Sequence, residues 1–419
     1  MKVLATIVVP PHMSVSGGAR AAELLSSALT EHCDITVASM MNGTGNVDGG
    51  GKQAARIPVR SWLPPLVPWS RLSNRYSTLF YRSDLPDIVR RGAFDLVHIH
   101  NPMPALEMER VARACLAAGT PYVVSTHGFN EVANGGDIYR FDTVRRQLWK
   151  QLVQAPVSRV VARASGIFAL SEADFEIVRN MGYTGSELSV VTNGVAVPEP
   201  ADAAADAPLL ERAGIPVERV PGEIACMFLA NHTPNKGLPV LLEAFAALER
   251  PYLLIVGGET RGDVDYDAYV RRCRPGQQIV VTGRLSDAEV AAALRRTDLF
   301  VFPTLADTFP LVVLEAMAHG RAVLASEVGG IPHQLTSECG RLVPPGDAAA
   351  LRTAIDGLAA EPERLAAMGA HAHTRAVSKF SWAAAAGHAA AAYQRVLQQH
   401  APARRHQPVS ALEARWAGE

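Results

Sequence analysis

Residues 299–326 read LFVFPTLADTFPLVVLEAMAHGRAVLAS, and the order of apolar and polar residues in this stretch indicates the fold class. A short apolar run is followed by a polar loop, an apolar segment from Pro310 to Gly320 and a second apolar run that begins at Ala322. Short apolar runs separated by a segment of helical length are typical of buried parallel strands joined by a helix. Proline suits the first turn of such a helix and glycine suits its end, so we predict a helix between them.

Two carboxylates, Asp307 and Glu315, stand eight residues apart in this stretch. The predicted helix is apolar on nearly all sides and should be buried, where a carboxylate is costly unless it is paired or bound to a ligand. Asp307 lies in the loop that leads to the first turn, where backbone N–H groups favour anionic groups. Glu315 lies in the middle of the helix, so it either pairs with a buried arginine, caps a neighbouring backbone or binds a ligand.

The same alternation of apolar runs and amphipathic segments extends over most of the chain. Alternating strands and helices indicate parallel sheets that are covered by helices on both faces. We therefore predict an α/β protein with two doubly wound domains that face each other across a cleft. The predicted units are a first domain at 1–195, a linker rich in Pro, Ala and Asp at 196–222, a second domain at 223–379, a helix at 380–398 and a tail at 399–419.

Composition and charge restrict the class of protein. The chain has 48% apolar and 19% charged residues, as in ordinary globular proteins, and its net charge of −1 argues against a nucleic-acid partner. Its five cysteines form no C-x-x-C pair, so neither a zinc site nor a disulfide framework is indicated. The start reads as a first strand, and no apolar stretch reaches the roughly 18 residues that a membrane span needs. We expect reduced thiols and a cytoplasmic protein.

Several residues at the ends of predicted strands are candidates for ligand binding, because ligands of open α/β sheets bind at the carboxyl ends of strands. Gly17 and Gly18 lie between the first strand and the first helix, where a glycine pair either lets backbone N–H groups approach a phosphate or serves as a plain turn. His127 ends a later strand and is either structural or ligand-binding. Gly257 allows close approach of a ligand at another strand end.

The stretch DTFPLVVLEAMAHGRAVLAS resembles the acid-x7-acid signature of retaining GT-B glycosyltransferases of glycosyltransferase family four, or glycosyl transferases group 1. In that family the first acid contacts hydroxyls of the donor sugar, and the second accepts hydrogen bonds from the ribose of the nucleotide. The resemblance places Asp307 on the first acid, where glutamate is usual, and Glu315 on the second. Pro310 stands where glycine is frequent; because proline has no N–H, Leu311 and Val312 are left to donate to the sugar.

A second element, FLANHTPNKG at residues 228–237, resembles the family's GR-x4-KG sequence, which binds the donor diphosphate. Lys236 matches the lysine, but Asn231 stands in place of the arginine, and an amide cannot supply the charge of a guanidinium. The resemblance therefore assigns most of the diphosphate charge to Lys236, with His232 or Arg284 as helpers.

The resemblance covers most of residues 1–395 and implies the GT-B fold, with two Rossmann-like domains, the donor mainly on the second and the acceptor mainly on the first. The helix at 380–398 is expected to cross back to the first domain. The implied catalytic residues are His127, Lys236, Asp307 and Glu315. The implied donor-binding residues are Gly17, Gly18, Asn231, Gly257, Arg284, Leu285, Phe309, Pro310, Leu311 and Val312.

The implied reaction is transfer of a sugar from a UDP- or GDP-type nucleotide sugar to an acceptor hydroxyl with retention of configuration, in cell-envelope or secondary-metabolite biosynthesis. The nucleotide sugar is a co-substrate, and neither a metal nor another cofactor is expected. The acceptor is a small molecule, a glycoside or a lipid. Two alternatives stay open: a GT-B protein that binds nucleotide sugars without transferring them, and another GT-B enzyme such as an epimerase or a phosphorylase.

One further region is rich in cations and aromatic rings. Residues 60–91 contain six arginines against two aspartates, together with two tryptophans, two tyrosines and one phenylalanine. Such a face is either simply solvated, or it binds an anionic or aromatic acceptor, or it contacts a membrane surface peripherally.

Overall fold

The computed structural model describes residues 1–11, 16–40, 53–65, 77–200, 203–260 and 264–404. Within these residues the chain forms one seven-stranded sheet and one six-stranded sheet, and every strand pairing in both is parallel. A two-stranded antiparallel pair, β4 with β5, lies beside them. The strands are β1 Lys2–Ile7, β2 Asp34–Ser39, β3 Ala55–Ile57, β4 Ser61–Trp62, β5 Arg82–Ser83, β6 Leu96–His100, β7 Tyr122–Ser125, β8 Gly166–Ala169, β9 Leu188–Val190, β10 Ile224–Leu229, β11 Tyr252–Gly257, β12 Gln277–Gly283, β13 Leu299–Phe302, β14 Ala322–Ser326 and β15 Gly340–Val343.

Helices connect the parallel strands, as the predicted alternation requires. They are α1 Gly17–Leu29, α2 Leu85–Arg91, α3 Ala105–Ala117, α4 Phe129–Ile138, α5 Thr143–Trp149, α6 Ala155–Ala162, α7 Ala173–Asn180, α8 Ala203–Arg212, α9 Leu238–Ala246, α10 Tyr266–Val270, α11 Asp287–Arg296, α12 Leu311–Ala318, α13 Ile331–Gln334, α14 Ala348–Ala359, α15 Pro362–Lys379 and α16 Trp382–Arg404. The predicted α/β class, with two doubly wound sheets, is confirmed.

Each sheet reverses its strand order at one point, and these two points position the site. The first sheet runs β3-β2-β1-β6-β7-β8-β9, so its order reverses between β1 and β6. The second runs β12-β11-β10-β13-β14-β15 and reverses between β10 and β13. Loops diverge to opposite faces at such a reversal, which opens a crevice at the carboxyl ends of the strands. The residues that follow β1, β6, β10 and β13 are therefore the expected site residues.

The strands are apolar because helices cover both faces of each sheet. β10 and β13 are almost entirely buried and belong to one large core cluster that also contains α12. The last helix, α16, contributes Ala385, Ala389 and Tyr393 to a core cluster of the first sheet, next to residues of α1. The carbonyl of Phe380, two residues before this helix, accepts a hydrogen bond from the backbone N–H of Val195 at 2.7 Å.

Two segments differ in detail from their predictions. The helix predicted from Pro310 to Gly320 is α12, Leu311–Ala318, and Pro310 stands just before it in an extended conformation. In the stretch predicted as a linker at 196–222, a short helix is expected at APLLERAG, residues 207–214, and α8 covers part of it but begins earlier, at Ala203. Its Asp206 pairs with Arg295 of α11 at 2.5 Å. Residues 66–76 of the cationic aromatic stretch and 405–419 of the tail lie outside the described residues. Among the described helices, none has the length and apolar character to cross a bilayer.

Candidate active site

The loop that follows β13 packs against the turn that follows β14. The backbone N–H of Gly330 donates to the carbonyl of Thr308 at 2.6 Å. Gly329 has φ of 53°, and a Cβ there would collide with the carbonyl oxygen of Asp307. Only glycine adopts this conformation at low cost and leaves room for the loop. The close packing fixes the backbone that presents Asp307 at the mouth of α12.

Lys236 and Asp307 meet at this point, although 71 residues separate them in the sequence. The Lys236 Nζ lies 2.6 Å from Asp307 Oδ2, and the two side chains are 23% and 17% exposed. The other carboxylate oxygen of Asp307 accepts from the backbone N–H of Thr308 at 3.0 Å. Gly237 next to the lysine has φ of 71°, and a Cβ there would collide with the carbonyl of Pro303. The two motifs of the second domain therefore form one charged site.

The first turn of α12 opens beside this ion pair. In any α-helix the first N–H groups have no partner within the helix, so those of Leu311 and Val312 are available to an anion or a hydroxyl. Pro310 brings no N–H to the site, and its carbonyl accepts from Gln334 Nε2 at 2.9 Å. The Phe309 side chain is buried and packs edge-on against Phe380. The Phe309 side chain therefore supports the site from the core. It does not line the cleft, as was expected of a donor-binding residue.

Glu315 sits further along α12 and faces the other domain. Its side chain is 22% exposed, and its Oε1 lies 3.8 Å from Nη2 of Arg20 on α1. Burial raises the pKa of the Glu315 carboxyl, and the positive charge of Arg20 partly offsets that effect. Arg20 also forms an ion pair at 3.3 Å with Asp287, at the start of α11. The cation beside Glu315 is thus Arg20 of the other domain, and its side chain is 42% exposed. The alternative in which Glu315 pairs with a buried arginine does not match this contact.

A further group of predicted residues lies around Gly257. A Cβ on Gly257 would lie 3.5 Å from Leu285 Cδ1, so the structure brings these two predicted residues together. Arg284 is exposed at the rim, and Asn231 is half-buried in the loop after β10. His232 does not serve as the expected helper for the diphosphate. Its Nε2 lies 3.3 Å from the Gly257 carbonyl and its Nδ1 2.5 Å from the Tyr266 hydroxyl, and burial lowers its pKa, so it is neutral and engaged.

The first domain contributes Gly17, Gly18 and His127 to the facing wall. His127 is 5% exposed, and burial lowers its pKa to about 4, so it is neutral at pH 7. A Cβ on Gly18 would lie 2.6 Å from Asn101 Nδ2 and 3.4 Å from His127 Cβ, so a side chain at this position would displace the Asn101 amide. Gly17 has open space around it, and its role there is not steric.

Two contacts cross between the domains next to this wall. Asn130 Nδ2, three residues after His127, donates to the Asp307 carbonyl at 3.4 Å. Asn193 Nδ2 donates to the Phe309 carbonyl at 2.7 Å. The neutral residues of the first sheet therefore stand opposite the ion pair of the second.

Sequence reasoning missed Arg20, Asn101 and Asn130. Asn101 directly follows the apolar strand that ends in His100, and this strand-end position was the available signal. The sequence holds no comparable signal for Arg20 or Asn130, because each reaches the site from a helix whose partner lies in the other domain.

Comparison with known families agrees with this geometry. Residues 15–197 match the family described as Glycosyltransferase Family 4, and residues 223–361 match Glycosyl transferases group 1. The chain belongs to this glycosyltransferase family.

Several curated glycosyltransferases are similar to this chain in sequence. It is 28% identical to the MMP alpha-(1->4)-mannosyltransferase of Mycolicibacterium hassiacum, over 74% of this chain and 72% of the relative. It is 30% identical to the phosphatidyl-myo-inositol mannosyltransferase of Mycolicibacterium smegmatis, over 74% of this chain and 73% of the relative. It is also 30% identical to the D-inositol 3-phosphate glycosyltransferase of Streptomyces avermitilis, over 74% of this chain and 67% of the relative.

Solved structures share the fold. Sucrose-phosphate synthase from Thermosynechococcus elongatus superposes with a TM-score of 0.70 at 19% identity, covering 95% of this chain and all of that chain (100%). Anabaena HepE in complex with UDP-glucose superposes with a TM-score of 0.66 at 18% identity, covering 97% of this chain and 99% of that one. The fold of this chain is GT-B.

Proposed function

We propose that this glycosyltransferase moves a sugar from a nucleotide-diphosphate sugar to an acceptor hydroxyl, with retention of the anomeric configuration. The observation that carries the proposal is the placement of Lys236 and Asp307, 2.6 Å apart, at the open first turn of α12. A cation and unpaired N–H groups bind a diphosphate, and a carboxylate beside them accepts hydrogen bonds from sugar hydroxyls. A nucleotide sugar presents these two groups next to each other.

The donor is held mainly by the second domain. Lys236 and the N–H groups of Leu311 and Val312 bind the diphosphate, and Asp307 binds hydroxyls of the sugar. Glu315 accepts hydrogen bonds from the ribose, which compensates a carboxylate that burial disfavours in its charged form. Leu285 packs over Gly257 where the base is proposed to bind. Because Asn231 brings no charge, Lys236 bears most of the electrostatic stabilisation.

The reaction breaks the bond between the anomeric carbon and the terminal phosphate oxygen. Negative charge then develops on the departing diphosphate, and Lys236 with the α12 N-terminus stabilises it as a preorganised charge. The acceptor oxygen bonds to the anomeric carbon on the same face, and its proton passes to an oxygen of the leaving phosphate, as in the family's usual account. His127, neutral at pH 7, hydrogen-bonds the sugar from the facing wall and adds no positive charge.

The acceptor is proposed to bind on the first domain. Two relatives are named for transfer to phosphatidyl-myo-inositol and to D-inositol 3-phosphate, which supports a polyol, glycoside or lipid-linked acceptor in cell-envelope or related glycoside biosynthesis. The proposed location is the cytoplasm. This proposal is supported by the five cysteines, none of which forms a disulfide and three of which are buried.

Thermal unfolding with a panel of UDP- and GDP-sugars tests donor binding, since only a ligand of the folded state raises the melting temperature. We expect at least one nucleotide sugar to raise it, and Glu315→Ala to abolish the rise. Release of nucleoside diphosphate, with and without an acceptor panel, then separates a transferase from a protein that only binds the donor. No binding, no release and no effect of Glu315→Ala would together refute the proposal.

A further inference from the structure

The carboxyl end of β6 carries a buried polar side chain that the proposed mechanism does not use. Asn101 directly follows β6 and is 6% exposed, and its Oδ1 has no hydrogen-bond partner among the described residues. Buried polar atoms in folded proteins are almost always hydrogen-bonded, because leaving one unpaired destabilises the folded state. Its partner is therefore not among the described residues, and a bound ligand can supply it.

The position of Asn101 identifies where that group would come from. β6 adjoins β1 at the point where the first sheet reverses its order, which is where ligands of this architecture bind. Asn101 Nδ2 would lie 2.6 Å from a Cβ on Gly18, and the same Cβ would lie 3.4 Å from His127. The amide whose Oδ1 lacks a partner thus lies next to Gly18, which in turn lies next to His127.

The chemistry of the surroundings identifies the kind of ligand. Burial lowers the pKa values of His98, His100 and His127, so these three imidazoles are uncharged at neutral pH. An amide oxygen accepts hydrogen bonds and carries a partial negative charge, so it favours a hydroxyl over a phosphate. Both ring nitrogens of the buried His100, whose ring lies 6.0 Å from that of His127, also have no partner among the described residues.

We propose that Asn101 Oδ1 accepts a hydrogen bond from a sugar or polyol hydroxyl bound in the cleft, and so helps to select the substrate. This rests on the proposed transfer reaction. The hydroxyl belongs either to the transferred sugar or to the acceptor, and the two sources share one chemistry.

The backbone at this position allows a clean test. Asn101 has φ of 66°, a left-handed conformation that glycine adopts more easily than asparagine does. Asn101→Gly removes the carboxamide without opposing the backbone. Arg140→Gly is the matched control, because Arg140 has φ of 50°, is exposed and follows the far end of α4.

The experiment measures nucleoside diphosphate release from UDP-glucose and from GDP-mannose, with water alone and with a myo-inositol acceptor panel. For whichever donor wild type turns over, we expect Asn101→Gly to lower kcat/KM roughly tenfold or more, and Arg140→Gly to change it less than about twofold. A loss in both hydrolysis and transfer assigns the hydroxyl to the donor sugar, and a loss in transfer alone assigns it to the acceptor.

Melting temperature is measured in parallel, and Asn101→Gly is expected to melt close to wild type. Asn101→Gly with kcat/KM within about twofold of wild type in both assays would overturn the inference, and the Oδ1 partner would then be water. If wild type neither binds nor turns over any nucleotide sugar, the proposed function fails instead, so the two failures are distinguishable.

Discussion

The two walls of the cleft differ in charge. The wall of the second domain carries Lys236, Asp307 and Glu315, which are partly exposed and ionisable, next to an open helix N-terminus. The wall of the first domain carries buried neutral groups, His127 and Asn101 among them. Charged groups suit the diphosphate and the ribose, whereas neutral hydrogen-bonding groups suit hydroxyls. In the proposed function, the charged wall binds the diphosphate and the ribose and contributes Asp307 to the sugar, while the neutral wall contacts hydroxyls from the other side. The predictions below test that division.

The largest expected effect is on folding stability and comes from the neutral wall. The unfolded pKa of histidine is about 6.5, and burial lowers the folded pKa of His98 to about 3 and of His127 to about 4. Their stability contribution is therefore complete above pH 6.5 and is lost as pH falls toward 4. At pH 5 each should contribute about 2 kcal/mol less than at neutral pH. Urea unfolding at pH 7 and pH 5 measures this loss.

A variant pair isolates the histidine contribution. His127→Asn should flatten the pH dependence of the free energy of unfolding, and His388→Asn, which changes an exposed histidine of α16, should leave it as in wild type. Equal pH dependence of His127→Asn and wild type would show that His127 is not held neutral by the fold.

The next effect concerns the charged wall. Lys236→Ala removes the cation at the α12 N-terminus and should lower kcat/KM by about 100- to 1000-fold, the usual cost of one preorganised charge-stabilising group. Lys379→Ala, at the exposed end of α15, should leave kcat/KM unchanged. Release of nucleoside diphosphate under subsaturating donor gives the comparison. Similar rates for the two variants would show that the diphosphate does not bind at Lys236.

Glu315 should show opposite effects on binding and on stability. Glu315→Gln keeps the shape and removes a charge whose pKa burial raises, so the ligand-free protein should melt at the same or a higher temperature. Nucleotide binding should weaken about tenfold, because a hydrogen bond to a charged acceptor is stronger than one to an amide. Calorimetry with UDP and GDP measures the affinity. A lower melting temperature with unchanged affinity would make Glu315 a structural residue.

The smallest expected effect on nucleotide affinity is that of changing Arg20, which contacts Asp287 and Glu315 across the cleft. Arg20 and Asp287 are 42% and 81% exposed, and exposed ion pairs contribute about 0–1 kcal/mol. Arg20→Gln should therefore change nucleotide affinity less than about fivefold, and the change should shrink as salt is raised. A larger effect that persists at high salt would place Arg20 on the ligand itself.

The second-domain half of the site could be predicted from sequence because its residues lie in two short continuous motifs. Lys236, Asp307 and Glu315 were named from them, and the structure brings the first two together. The first-domain half is assembled from the ends of β1, β6 and β7, so no single motif contains it. Asn101 and Arg20 depend on which strands are neighbours and which helix faces the other domain, and Phe309 points into the core for reasons of packing that a motif does not encode.

The most direct test of the account is release of nucleoside diphosphate from a panel of UDP- and GDP-sugars by wild type, Lys236→Ala and Lys379→Ala. We predict that wild type and Lys379→Ala release it from at least one donor at equal rates, and that Lys236→Ala is slower by at least about 100-fold. Release by none of the three, or release by Lys236→Ala at the wild-type rate, would contradict the claim that this cleft transfers a sugar from a nucleotide diphosphate.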